Sequence, residues 1–189
     1  MKPFITVVTG LPRSGTSLMM QMLAAGGIPV LTDGLRSPDE DNPRGYFEYE
    51  PVKRTREDCG WIDEAEGKAV KVVYLLLRDL PADRDYRVIF MRRDLREVLA
   101  SQSAMLMRAG RPGMELPDVR MAAIFDQQVR IMLDWLAIQP NFRVLEIDYK
   151  RCIETPALIA RIVNSFVGDT LDESRMVAMV EPALYRQVH

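Results

Sequence analysis

The sequence predicts an α/β protein with a central parallel sheet covered by helices on both faces, a three-layer α-β-α arrangement. Short apolar, β-branched segments typical of buried parallel strands alternate along the chain with segments of helical periodicity. The first of these strands runs into a glycine-bounded loop that opens directly into a helix. The length of 189 residues suits one domain, and we expect 1–189 to form it.

The elements follow in order from these patterns. Strands are predicted over 4–9, 30–31, 70–77 (running into a helical turn), 86–91 and 142–147. Helices are predicted over 17–25, 50–59, 118–138, from Thr155-Pro156 to 166, and over 171–180. A further helix begins at Asp94, which forms a capping box with Glu97. The segments 32–45 and 109–117 are rich in turn residues and are predicted loops.

Composition excludes several classes of protein. The net charge of -2 argues against a general nucleic-acid binder. No apolar stretch approaches the ~20 residues of a transmembrane helix, and we expect neither a membrane segment nor a signal peptide. Cys59 and Cys152 are too few and too distant to predict a disulfide framework or a zinc site, so a cytoplasmic location is expected. The single histidine, His189, ends the chain.

The loop after the first strand has the spacing of a phosphate-binding loop. Four residues separate Gly10 from Gly15, and backbone N–H groups in such a loop, with the positive end of the helix, bind an anion. A nucleoside-triphosphate P-loop has a lysine directly after the second glycine, whereas this chain has Thr16 there and its cation at Arg13. The pattern therefore favours a phosphoanhydride other than ATP or GTP.

The run from Pro12 to Ser17 resembles the 5′-phosphosulfate-binding loop of sulfotransferases, most of all bacterial and Golgi-type members. These enzymes use 3′-phosphoadenosine 5′-phosphosulfate (PAPS), and the resemblance implies a P-loop fold with PAPS as co-substrate. It implies that Arg13 also stabilises charge on the leaving oxygen. The residues implied to bind the phosphosulfate are Arg13, Ser14, Gly15, Thr16 and Ser17.

A second anion site is predicted at the end of the strand 86–91. Arg92 and Arg93 follow this strand, and Ser101 comes eight residues after Arg93. In sulfotransferases an arginine and a serine with this spacing hold the 3′-phosphate that distinguishes PAPS from other adenine nucleotides. The resemblance favours Arg93 over Arg92 for this role.

The resemblance extends from Val7 to Gly168 and includes two further segments, 71–73 and 144–149. Several family features are missing. The chain lacks the Arg-Lys-Gly segment that closes over the nucleotide in cytosolic sulfotransferases. Leu18 stands where the family has a tryptophan, and Val73 where cytosolic members have a histidine. The chain therefore resembles a short, divergent member whose adenine contacts the sequence leaves unassigned.

The general base is expected to be a carboxylate, because His189 lies outside every motif. Glu48 is preferred, since its segment resembles one that follows the phosphosulfate loop in bacterial sulfotransferases, with Glu50 and Glu40 as rivals. Lys71 is expected to contact the phosphosulfate from the neighbouring strand, although a lysine leading to solvent is an equal alternative.

These observations predict a sulfotransferase that moves a sulfuryl group from PAPS to a hydroxyl or amine of an unidentified acceptor. No metal ion is implied. Two alternatives remain open from the residues: a degenerate P-loop kinase or nucleotide hydrolase, and a nucleotide-binding module without catalysis. The sequence leaves the acceptor and the oligomeric state undetermined.

Overall fold

A five-stranded parallel sheet forms the centre of the protein, as seen in a computed structural model that describes residues 3–39, 42, 44–108, 110–111 and 117–181. The strands are β1 (Ile5–Gly10), β2 (Val30–Leu31), β3 (Ala69–Lys71), β4 (Tyr86–Arg92) and β5 (Phe142–Asp148). Their spatial order is β2-β3-β1-β4-β5, and every pair is parallel. The predicted α/β fold with a central parallel sheet is therefore confirmed.

Six α-helices among the described residues cover this sheet on two faces. They are α1 (Thr16–Gly26), α2 (Leu95–Arg108), α3 (Asp118–Ala137), α4 (Tyr149–Glu154), α5 (Pro156–Val167) and α6 (Glu173–Ala178). Alternation along β1 sends Val7 into a core shared with α3 and Val8 into a core shared with α1 and α5. These two cores, one on each face, make up the three layers.

The central strand β1 fixes where a site can form. All six of its residues are buried, as expected for a strand with neighbours on both sides and helices on both faces. Gly10 lies opposite Met91 of β4, and Val8 lies opposite Lys71 of β3. Because the strands are parallel, the loops after β1, β3 and β4 leave the same edge of the sheet.

Three helix predictions need correction. The predicted helix 50–59 is only a 3₁₀ helix, Glu50–Arg54, because the Thr55 hydroxyl donates to the Val52 carbonyl (2.5 Å) that a longer helix would use. The last helix begins at Glu173 because Asp172 is its N-cap. The short helix α4 was not predicted.

Further findings complete the comparison with the predicted elements. The predicted strand 70–77 is a strand only over Ala69–Lys71, and its helical turn is the 3₁₀ helix Tyr74–Asp79. The other strands and helices lie within two residues of their predicted limits. Of the predicted loop 109–117, the structure describes residues 110, 111 and 117 only. None of the helices in the described residues is long and apolar enough to cross a membrane.

Candidate active site

The loop between β1 and α1 is a tight cradle that its glycines make possible. Gly10 and Gly15 have φ angles of 148° and 96°, and Arg13 also adopts a left-handed conformation at 71°. A Cβ on Gly15 would lie 2.2 Å from the Tyr149 ring, and one on Gly10 would lie 2.5 Å from the Ser14 hydroxyl. Only glycine fits at these two positions, so the loop brings its backbone close to whatever lies above it.

The start of α1 places hydrogen-bond donors at this cradle. Thr16 is the first residue of the helix, and the N-cap, Gly15, makes no side-chain capping bond. The first N–H groups of a helix lack helical partners and carry the positive end of its dipole. The hydroxyls of Thr16 and Ser17 stand at the same end, and both residues line the cavity above it. This donor set fits a phosphate-like group.

Arginines connect the cradle to β4 and α2. Arg13 Nε donates to the Ser101 hydroxyl of α2 (2.9 Å), and Arg93 Nη1 donates to the carbonyl of Arg13 (3.1 Å). The Arg93 guanidinium also lies over the Tyr149 ring, 4.7 Å from its centre. The two groups of residues predicted to bind anions are therefore in direct contact.

Arg93 is held by a buried ion pair. Its Nε donates to Glu97 (2.8 Å), and the two side chains are only 9% and 8% exposed. Glu97 thus uses a carboxylate oxygen to hold Arg93, rather than serving only the predicted capping box with Asp94. Arg92 instead pairs with Glu146 on β5, outside the cavity, so Arg93 is the arginine of this pair that faces the cradle.

Lys71 reaches the site from β3. Its Nζ donates to the Ser17 hydroxyl (3.2 Å) and to the Tyr46 carbonyl (3.0 Å). Burial lowers the pKa of Lys71 from its usual 10.5 to about 8, against the opposing effect of the Glu48 carboxylate. This ammonium is therefore in place beside the cradle and easily changes its protonation state.

Glu48 lines the cavity beside two cations. Its Oε1 accepts from Arg36 Nη1 (2.8 Å), its Oε2 lies 3.9 Å from Lys53 Nζ, and its side chain is 27% exposed. Glu50 is less suited to chemistry, because its 55% exposed side chain pairs with Lys53 and does not line the cavity. Glu40, the third candidate, and His189 lie outside the described residues.

A single cavity of about 460 Å³ joins these groups. Of the residues predicted for the site, only Ser14 does not line it, because the Ser14 side chain is buried beneath the loop against Gly10. The predicted site residues that line it are Arg13, Gly15, Thr16, Ser17, Glu48, Lys71, Arg93 and Ser101.

The order of the strands divides the cavity into two halves. Arg93 and Ser101 lie on the β4 side of β1, whereas Lys71 and the segment that carries Glu48 lie on the β3 side. Sequence reasoning missed Arg36, which sits in an irregular segment with no periodicity to indicate which way its side chain points. It also missed Arg108, at the end of α2, as a lining residue.

Comparison with known proteins supports the fold. No protein-family model and no curated protein matches the chain. Among solved structures, the sulfotransferase domain of the curacin biosynthetic pathway has 15% identity and a TM-score of 0.56, over 98% of this chain and 83% of that one. Mouse sulfotransferase SULT7A1, complexed with PAP, has 17% identity and a TM-score of 0.57, over 95% of this chain and 63% of that one.

A sulfotransferase from Alicyclobacillus acidocaldarius extends the similarity to full length, with 16% identity and a TM-score of 0.53 over 100% of this chain and 98% of that one. At these identities the likeness concerns the fold. The chain has the sulfotransferase fold, as the resemblance in the sequence implied.

Proposed function

We propose that this protein is a PAPS-dependent sulfotransferase. The observation that carries the proposal is the shared cavity. An anion cradle without the P-loop lysine, an arginine–serine pair at the spacing of a 3′-phosphate site, and a carboxylate open onto the same space. The mouse structural neighbour is complexed with PAP, adenosine 3′,5′-bisphosphate, the product that PAPS would leave.

The donor half would be built by the β1 loop, α1 and α2. The loop amides and the hydroxyls of Thr16 and Ser17 would bind the 5′-phosphosulfate. Arg13 would neutralise charge on the oxygen between phosphorus and sulfur, and Lys71 would donate a hydrogen bond from the β3 side. Ser101 accepts a bond from Arg13, and its own O–H can donate to a 3′-phosphate.

The acceptor half would lie on the β3 side of β1. When bound in the donor half, PAPS would supply the sulfuryl group, whose sulfur forms a bond to the acceptor oxygen or nitrogen as the bond to the 5′-phosphate breaks. Glu48 would take the proton of the acceptor, and general-base catalysis of this kind contributes about 10²–10⁴-fold. Positioning by the cradle would contribute the larger share, because a transferring group of this type is loosely bonded in transit.

The donor set argues against the first alternative. A kinase or nucleotide hydrolase with this loop would need a lysine to reach a γ-phosphate, and Thr16 occupies that position. It would also have no use for a buried arginine and a serine on α2 beside the cradle. The second alternative is a module that only binds nucleotide. Such a module does not require the Glu48 carboxylate in the cavity wall.

Nucleotide binding separates the sulfotransferase from the kinase-like function. Thermal unfolding should show strong stabilisation by PAP, with weaker effects from adenosine 5′-phosphate and from ATP with Mg²⁺. A ligand at 100 times its Kd adds about 2.7 kcal/mol to the free energy of unfolding. Equal effects of PAP and adenosine 5′-phosphate would refute a 3′-phosphate site, and a preference for ATP with Mg²⁺ would favour the kinase-like function.

A serine variant tests the 3′-phosphate site without disturbing the buried ion pair. Ser101→Ala should reduce the preference for PAP over adenosine 5′-phosphate by about tenfold or more, because a hydrogen bond to a charged group contributes about 1.5–3 kcal/mol. Ser103→Ala is the matched control, since Ser103 lies on the same helix but does not line the cavity. Equal loss in both variants would contradict the assignment.

A further inference from the structure

The Arg36 side chain connects the irregular segment 32–39 to the carboxylate of Glu48. Its guanidinium carbon lies 3.3 Å from the centre of the Tyr46 ring, and its Nη1 donates to Glu48 Oε1 at 2.8 Å. Tyr46 is itself fixed, because it is buried and its hydroxyl donates to Asp39 at 2.7 and 2.8 Å. The arginine is therefore held between an aromatic face and the carboxylate, inside the cavity wall.

Hydrogen bonds to the backbone hold the two segments that carry Arg36 and Glu48 against each other. The Thr32 hydroxyl donates to the Glu48 carbonyl (2.9 Å), as does the Asp33 backbone N–H (3.3 Å). The Glu50 N–H in turn donates to the Asp33 carboxylate (2.5 Å). The segments 32–39 and 46–50 are thus joined by hydrogen bonds, and they fix the position of the planar Arg36 guanidinium between them.

The two oxygens of Glu48 have different surroundings. Oε1 is held by Arg36, whereas Oε2 has its nearest ion-pair contact at 3.9 Å, to Lys53. The charged groups facing Glu48 are Arg36 from the irregular segment, Lys53 from the 3₁₀ helix and Lys71 from β3. Lys53 is bonded more closely to Glu50 (2.6 Å), which leaves Arg36 as the firmest contact of Glu48.

We propose that Arg36 is a positioning residue that holds Glu48 by its Oε1 and directs its Oε2 toward the acceptor. The catalytic part of this inference rests on the proposed function, in which Glu48 is the base. Held at one oxygen, the carboxylate has its other oxygen available to take a proton from a bound hydroxyl. The planar guanidinium fixes the orientation of the carboxylate through the hydrogen bond that it donates to Oε1.

The contact between Arg36 and Glu48 can be followed without any substrate. In ligand-free protein with ¹³C-labelled glutamate carboxyls, Glu48→Gln assigns the Glu48 resonance. At one fixed pH, Arg36→Gln should change the chemical shift of this resonance, because the guanidinium that donates to Oε1 is gone. Lys53→Gln, which removes the more distant cation, should change it less, and Arg36→Lys should restore most of the wild-type chemical shift. Identical chemical shifts in wild type and Arg36→Gln would overturn the proposal.

Release of PAP from PAPS, with water as the acceptor, tests the catalytic part. Glu48 would take a proton from water as the water oxygen bonds to sulfur, and the products are sulfate and PAP. Arg36→Gln should slow this release about tenfold, a part of the contribution of a general base, with unchanged affinity for PAP. A changed Glu48 resonance with an unchanged rate would refute the positioning role. Failure of the wild type to bind PAP would refute the proposed function and leave the result on the Arg36–Glu48 contact standing.

Discussion

Lys71 is a residue of the cavity wall whose pKa is lowered by burial. Because burial lowers its pKa to about 8, well below the usual 10.5, the unfolded chain binds more protons than the folded protein between these values. In the ligand-free protein, the burial of Lys71 therefore opposes folding below about pH 8, and this effect fades as the pH rises toward 10.5. A phosphate placed beside the Nζ would reverse the shift.

Binding of PAP above pH 8 should therefore take up a fraction of a proton. The bound anion favours the ammonium form, so Lys71 gains a proton as the complex forms. Calorimetric titrations at pH 8.5 in two amine buffers of different ionisation enthalpy measure the uptake. Lys71→Met should abolish it, whereas Lys53→Met should not, because Lys53 is about half exposed and already paired. Uptake that survives in Lys71→Met would exclude Lys71 as its source.

Glu48 and Glu50 are the two described carboxylates that compete for the role of general base. Glu48→Gln should reduce sulfuryl transfer by about two to four orders of magnitude and leave PAP affinity nearly intact, because a general base acts only in the transition state. Glu50→Gln is the matched control, since Glu50 lies two residues away and outside the cavity. Full activity in Glu48→Gln with an inactive Glu50→Gln would move the base to Glu50.

Single residues also mark the limits of prediction from sequence. The motif placed Arg93 and Ser101 at an anion site, and the structure brings both to the cavity. It gave no sign that Glu97 would hold Arg93 in a buried pair, because a glutamate three residues after Asp94 also suits a capping box. No sequence pattern indicated a role for Arg36, because tertiary contacts determine the conformation of its segment.

At the scale of elements, the β1–α1 loop is the unit that the sequence predicted best. Glycine spacing, a preceding apolar strand and a following helix are local features, and local features determine the conformation of this loop. The helix 50–59 was predicted too long, because a side chain caps it at Thr55. The helix α4 was missed because Asp148 ends a strand and also serves as N-cap by accepting from the Arg151 N–H.

Two glycines with similar backbone geometry allow a test of the cradle. Gly15 and Gly27 have φ angles of 96° and 106°, so alanine at either position carries a similar backbone cost of about 1 kcal/mol. Only at Gly15 would the new Cβ meet the Tyr149 ring, whereas nothing lies within 4 Å at Gly27. Gly15→Ala should therefore lose about 1–3 kcal/mol more in urea unfolding. It should also lose PAP binding, which Gly27→Ala should retain, and equal behaviour of the two variants would contradict a cradle that depends on Gly15.

At the scale of the whole molecule, the strand order places the charged groups of the cavity on two sides of β1. Strand β1 lies between β3 and β4, so the loops beyond its end separate a β4 side with Arg93 from a β3 side with Lys71. Alternating strands and helices predicted the parallel sheet, because each crossover must return over a face. They did not predict the order β2-β3-β1-β4-β5, which depends on contacts between distant segments.

Transfer of label from [³⁵S]PAPS most directly tests whether the protein is a sulfotransferase. Incubation with 2-naphthol, glucosamine, a tyrosine-containing peptide or water alone, followed by measurement of PAP and labelled product, gives the rate. With at least one acceptor, we expect the wild type to release PAP much faster than buffer does. The rate should fall at least about a hundredfold in Glu48→Gln, and it should also fall strongly in Arg13→Ala. Release no faster than in buffer with every acceptor, together with hydrolysis of ATP in the presence of Mg²⁺, would contradict the proposed function.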